Sequence, residues 1–428
     1  MSEVAERETL LGKTSLKSKP RWVTAASFDS YVSRILDVWK GIFIFFMLTE
    51  HTRSSLRVSM TTQYPFMHFV SQVACALDMT TFATCYGFAC YRSYLVSEVK
   101  NRPFTETISR ALRSVGLIYG AALICNVTFA TQVLHQEPTF KMFLEFATLR
   151  IIYWDFLLTF PFLLLMGALT TGPMLRFLKN ANTLLKLCGF ALLLYWPLQL
   201  ANEGFRVIDC NTASGHYWSI LFGCAKQTFT CTRFPAIPYM FFFNFGCILS
   251  FISLEISKWL SSGNESVDEA STSGSDTAEP RQRKFNWLPY TLFFSALISL
   301  EVYYAIPLFI HSNEPWEDYN ARGYQRFPLN FRLALGWAFM SLLAGVCAVV
   351  ATFCVPPLAS LLEIFGANVL LYLTTNVIII HGFFHEKWHA DILDENDRKA
   401  WELKVVGVSV FTICATSLLA YLAKSSRK

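Results

Sequence analysis

Charge is scarce in this chain. Asp, Glu, Lys and Arg make up 16% of its 428 residues, where a soluble domain carries about 25%. A surface wetted on every side needs more charge than that, so the shortage argues against an ordinary soluble globule. A single soluble core also stops growing near roughly 250–300 residues. No CxxC pair and no zinc-ligand spacing occurs among the twelve Cys, so the cysteines offer no recognisable metal site. No basic stripe with interleaved aromatics accompanies the net charge of +5, and nucleic acid is not expected as a partner. The first 34 residues contain no apolar h-region. A cleavable secretory signal is therefore not expected, and the first membrane helix is expected to serve as the targeting signal. No internal repeat relates the two halves of the chain.

What the chain has instead is apolar length. Hydrophobic residues are 53% of it, with 39 Phe. Phe234–Leu254, Leu333–Leu362, Ile364–His385 and Val405–Ala423 carry no Asp, Glu, Lys or Arg. About 20 such residues are needed to cross the hydrocarbon as a helix, and a helix satisfies its own backbone there. The expected fold is all-α: a polytopic membrane helix bundle of about ten transmembrane helices. They are placed at 36–51, 66–92, 112–134, 150–172, 183–201, 235–258, 287–310, 332–354, 359–384 and 403–424. Pro356–Pro357 must break the longest run, because proline lacks an amide and clashes with the preceding turn.

The expected organisation is a cytosolic tail (1–34), helices one to six (35–260), a linker (261–285), helices seven to ten (286–424) and a short tail (425–428). With the N-terminus in the cytosol, the larger share of Lys and Arg falls on the cytosolic side, so both termini are expected there. Ser261–Glu279 is almost free of apolar residues and reads as a disordered cytosolic linker. Its sequon at Asn264 would then stay unmodified. Glu6-Arg7-Glu8-Thr9-Leu10-Leu11 fits the acidic dileucine pattern of endosomal, lysosomal or vacuolar sorting, a short pattern that also arises from composition alone. Most Cys lie in apolar runs and read as packing residues. Cys210, Cys224 and Cys231 share one loop, where a disulfide is open.

Ionisable residues inside hydrocarbon cost at least about 2.5–3.5 kcal/mol and need a reason. Glu50-His51 closes the first helix, where His51 reads either as a general base tuned by the adjacent carboxylate or as a helix-end residue among headgroups. Asp37 at the other end lies 14 residues away, about 21 Å along a helix, so the two form no dyad. Asp78 sits mid-helix, as a site or as a paired structural acid. Arg150, Asp155 and Arg332 stand at helix starts, as anion-binding groups or as snorkelling anchors. His381, His385 and His389 recur every four residues, which puts them on one face if the helix continues; an interfacial segment is the plainer reading. Glu301 is a further intramembrane acid.

These residues carry a resemblance. Leu36-Asp37-Val38-Trp39-Lys40-Gly41-Ile42 followed by Glu50-His51 resembles the first helix of the multipass membrane acyltransferases, the superfamily that includes the acyltransferase 3 proteins, the periplasmic glucan succinyltransferases and the heparan-glucosaminide N-acetyltransferases. Arg233-Phe-Pro-Ala-Ile-Pro-Tyr239 with Asn244-Phe245-Gly246, Arg326-Phe-Pro-Leu-Asn330 with Leu335-Gly336, and Phe365-Gly-Ala-Asn-Val-Leu-Leu-Tyr372 resemble later segments, in the same order. The resemblance implies a bundle of about ten helices that moves an acyl group, acetyl first among them, from cytosolic acyl-CoA to a hydroxyl or amine. The expected acceptor is a glycan or lipid across the bilayer. It implies His51 as catalytic base, Glu50 as its orienting group, and Arg150 and Arg332 as holders of an anionic donor or acceptor, with no bound cofactor and acyl-CoA as co-substrate; Asp78, Asp155 and His381 join them as candidate substrate-binding residues from their places in or beside the apolar runs. The lipid bilayer and a second copy in a homodimer are the other expected partners. Two other readings stay open: a secondary transporter using Asp78 and Glu301, and an inactive relative acting as a membrane scaffold.

Overall fold

The computed structural model describes residues 25–55, 65–99, 104–136, 156–207, 235–272, 331–380 and 398–425, with a few positions at 218–222 and 288–303. The chain forms two compact units, residues 1–32 with 254–285 and residues 33–253 with 286–428. The described part of the first consists of the opening turns of one helix and the closing turns of another. The second holds everything that follows.

The helices in chain order are α1 (Ala25–Ser55), α2 (Pro65–Val99), α3 (Phe104–Gln136), α4 (Phe156–Met166), α5 (Gly172–Lys179), α6 (Thr183–Val207), α7 (Ala236–Thr272), α8 (Phe331–Cys354), α9 (Pro356–Ala367), α10 (Val369–Ile379) and α11 (Arg398–Ser425). Among the described residues there is no strand, as the apolar runs require. Among the described residues five stretches are long and apolar enough to cross a membrane: Thr159–Lys179, Thr183–Ala201, Ala236–Ile256, Ala334–Cys354 and Val405–Leu422. The bent pair α9–α10 makes a sixth if it is counted as one span.

Burial follows the logic of a lipid solvent. On α11 the buried stripe includes Ser409, Thr412 and Thr416, while Val406, Val410, Phe411, Leu418 and Leu422 are exposed. A helix in water does the reverse. On α8, Ser341 and Thr352 are buried while Val346, Val350 and Phe353 are exposed. Polar side chains turn away from lipid, and some bond back to their own helix: Thr352 donates to the Ala348 carbonyl at 2.7 Å and Thr416 to the Thr412 carbonyl at 2.8 Å.

Small residues let the helices approach closely. A side chain at Gly87 (α2) would collide with the Phe243 carbonyl (α7), and one at Gly246 (α7) with the Thr84 carbonyl (α2). Cys247 then donates to the Gly87 carbonyl at 3.2 Å. Aromatic rings fill the space between α1, α2 and α4: Phe43 and Phe82 meet edge to face at 5.2 Å, and Phe82 and Phe160 lie tilted to each other at 4.9 Å.

Several boundaries differ from the sequence reading: α1 begins at Ala25, inside the stretch expected as a tail, α2 runs on to Val99, and α3 begins at Phe104. The fourth helix was expected to end at 172; instead a π-helical turn over Gly167–Thr171 carries α4 directly into α5. Arg176 and Lys179 therefore lie in a helix's last turn, where cations suit the dipole. The Ser-rich stretch expected as linker is helical as far as Thr272, at the end of α7; residues 273–285 lie outside the described residues. The ninth helix, expected unbroken over 359–384, bends by 75° between α9 and α10. Asn368 sits at that bend with φ −117° and ψ 30°, and its side-chain amide donates to the Ile364 carbonyl at 2.9 Å. The break at Pro356 follows the proline argument: Val355 is the N-cap and the prolines occupy the first turn of α9.

Candidate functional site at the two ends of α1

The base of α1 is fastened to α9. A side chain at Gly41 would collide with the Leu362 carbonyl, and one at Gly366 with the Asp37 carbonyl, so the two backbones touch at both glycines. Lys40 pairs with Asp37 on its own helix at 2.7 Å. Arg34 reaches across to Glu363 at 3.0 Å and to the Ser360 hydroxyl at 3.2 Å. Trp39 lies against Gly345 of α8. Each residue of the opening Asp37-x-x-Lys40-Gly41 pattern thus has a structural partner.

The far end carries the predicted catalytic pair. His51 is half-buried. Glu50 and His51 are consecutive, and consecutive residues on a helix point about 100° apart. The carboxylate turns the other way: Arg53 donates to it twice, Nη2 to Oε1 at 2.6 Å and Nε to Oε2 at 2.8 Å. Both side chains are largely buried, 8% exposed for Arg53 and 15% for Glu50. This is a fork-shaped, charge-assisted pair. Thr49 and Thr52 donate back to the Phe45 and Leu48 carbonyls at 3.0 and 2.8 Å, which keeps their hydroxyls satisfied in an apolar helix. The structure therefore brings the Glu50 carboxylate to Arg53, whereas the sequence reading assigns it to His51.

Of the predicted binding residues, Asp78 lies within α2 and Arg332 within the first turn of α8; their side chains lie outside the described residues. Arg150, Asp155 and His381 fall outside the described residues altogether, as do His385, His389 and the Cys210–Cys224–Cys231 loop. Among the described residues no cluster of His, Cys, Asp and Glu has the geometry of a metal site.

Two buried carboxamides were not singled out by sequence reasoning. Asn244 of α7 accepts from Thr171 at 2.7 Å and donates to the Leu193 carbonyl at 2.6 Å. Asn376 of α10 is 1% exposed, and neither its oxygen nor its nitrogen has a hydrogen-bond partner. The rule that flags ionisable residues in apolar helices would have flagged both had it been applied to amides as well.

No protein-family model, no curated protein and no solved structure matches the chain. What the described residues define is a helical protein with five or six helices fit to cross a membrane, in which α1 is clamped at one end and carries a half-buried histidine at the other.

Proposed function

We propose that the protein is a multipass membrane acyltransferase, crossing the bilayer about ten times with both termini in the cytosol. It moves an acyl group, acetyl first among the candidates, from acyl-CoA to a hydroxyl or amine of a glycan or lipid. The observation that supports this reading best is the contact between Asp37 and Gly366. These residues belong to the first and last of the four stretches that carry the resemblance, far apart in sequence, and they pack backbone to backbone.

In this reading His51 takes the proton from the acceptor hydroxyl or amine as it attacks the thioester carbonyl of acyl-CoA. The new C–O or C–N bond forms, the C–S bond breaks, and the CoA thiolate leaves and recovers a proton. The Glu50–Arg53 pair holds the end of α1 in shape and fixes where the imidazole stands. Arg113, exposed on α3, and the basic segments on the cytosolic side attract the CoA phosphates. The dileucine pattern in the N-terminal tail suits an endosomal, lysosomal or vacuolar membrane.

The test is transfer of labelled acetyl from acetyl-CoA to glycans and lipids of a membrane fraction. His51→Ala should abolish transfer while expression and sorting stay as before. Transfer at the normal rate by that variant would end the reading. One observation favours a second reading, a secondary transporter: the 75° break between α9 and α10 is of the kind found in discontinuous transport helices. A transporter should depend on Asp78 and Glu301, and should lose uptake on Asp78→Asn or Glu301→Gln with His51→Ala silent.

A further inference from the structure

α10 and α11 pack against each other, and one hydrogen bond fixes their register: Tyr372 Oη and Ser417 Oγ are 2.6 Å apart. Asn376 lies one turn beyond Tyr372, on the same face of α10. If the two helices ran parallel, Asn376 would come level with Tyr421, which is 71% exposed. Asn376 is 1% exposed. The antiparallel arrangement brings it instead level with residue 413, one residue from Thr412 and about one turn, roughly 6 Å, from Ser409, which are 0% and 4% exposed. The side-chain oxygens of Thr412 and Ser409 have no hydrogen-bond partner either.

Four polar atoms on two packed helices are thus buried and unsatisfied within about one turn of each other along the bundle. Buried polar groups are as a rule paired, with protein or with ordered water. An orphaned carboxamide next to orphaned hydroxyls marks a place where another molecule supplies the partners. Its chemistry is legible from the lining. α10 contains no charged residue, and neither does α11 between Val405 and Leu422. The carboxamide and both hydroxyls each donate and accept. That suits a neutral hydroxyl group, which also does both, and not an ion of either sign.

We propose that Asn376, Ser409 and Thr412 form a buried binding site for a hydroxyl group between α10 and α11. Water, or an alcohol such as a sugar hydroxyl, supplies it. The site stands independently of the proposed acyl transfer, because it follows from the unsatisfied atoms alone.

Thiol accessibility in native membranes tests it. Asn376→Cys and Thr412→Cys should react with a small water-soluble methanethiosulfonate at least tenfold faster than Leu373→Cys and Val408→Cys, which are buried apolar positions on the same two helices. Labelled peptides identified by mass spectrometry separate these thiols from the native cysteines. Slowing by millimolar N-acetylglucosamine would assign the hydroxyl to a sugar, and insensitivity to it would assign the hydroxyl to water. Rates no faster than the controls would overturn the site. Should a cysteine variant fail to fold, the milder Thr412→Val gives a second readout. It should lower the melting temperature in detergent if the hydroxyl holds a ligand, and raise it if the seam is dry and the hydroxyl merely an unpaired burden.

Discussion

Asn244 donates to the carbonyl of Leu193 at 2.6 Å, the acceptor that Pro197 leaves without a backbone partner. A helical carbonyl is normally satisfied by the amide four residues on, and proline has none. Inside an apolar bundle a neighbouring helix, a hydroxyl side chain or a trapped water has to fill the gap. α7 repairs α6 with a carboxamide, and the same carboxamide accepts the hydroxyl of Thr171 from the π-helical turn at 2.7 Å. All three elements depend on one side chain that is 0% exposed.

Asn244→Leu should therefore destabilise by about 1–3 kcal/mol for each buried group left unpaired, seen as a lower melting temperature in detergent. In a Pro197→Ala background the amide of residue 197 satisfies Leu193, and the penalty of Asn244→Leu should shrink. An equal penalty in both backgrounds would mean that the freed carbonyl is not what Asn244 serves.

The glycines separate into two classes with opposite expectations. Gly41, Gly87, Gly246 and Gly366 each face the backbone of another helix where a methyl would collide. Alanine at any of them should cost about 1–3 kcal/mol through overpacking and lower the yield of folded protein. Gly116 and Gly120 of α3 have open space around the position of a side chain, so Gly116→Ala and Gly120→Ala should be neutral or gain up to about 1 kcal/mol from helix propensity. Thermal melts of the six variants side by side decide this. A loss at Gly116 comparable to that at Gly366 would show a contact on the open face of α3.

Glu50 and His51 should part company on mutation. Breaking a fully buried ion pair from one side costs about 3–5 kcal/mol, and Glu50 and Arg53 come close to that state, at 15% and 8% exposed. Arg53→Met should destabilise strongly, towards the low end of that range, and adding Glu50→Gln should restore part of the loss. His51→Ala should leave the melting temperature nearly unchanged and remove acyl transfer. If Glu50→Gln instead abolished transfer at unchanged stability, the carboxylate would belong to the chemistry rather than to the shape of the helix end.

Long apolar runs made the helices legible, because crossing hydrocarbon demands both length and composition. Pro356–Pro357 announced its break for the same elementary reason. The bend at Asn368 did not, since Asn inside an apolar run is a weak stop signal, and its side-chain bond to the Ile364 carbonyl exists only in the folded backbone. The π-helical turn left no residue signature beyond Gly167, whose missing side chain makes room for the Phe243 ring. At the candidate site the residue types were legible but their pairing was not. Glu50 and His51 are neighbours in sequence, whereas helical geometry hands the carboxylate to Arg53, three residues on. Asn376 was passed over because an amide carries no charge to draw attention in an apolar stretch.

The Arg34–Glu363 bridge offers the opposite case to Gly366, although both join α1 to α9. The bridge spans 3.0 Å, but its side chains are 33% and 41% exposed. Water and salt screen such a pair, and exposed pairs contribute about 0–1 kcal/mol. Two long side chains also lose rotamer freedom in making it. The backbone contact at Gly366 has neither weakness: it is buried, and nothing can move aside when a methyl is added. Glu363→Gln should therefore shift the melting temperature little, and raising the salt concentration should shrink even that small shift. Gly366→Ala should shift it far more, with no dependence on salt. If Glu363→Gln proved the more damaging of the two, the attachment of α1 to α9 would be electrostatic, and the close approach at Gly41 and Gly366 would be its consequence rather than its cause.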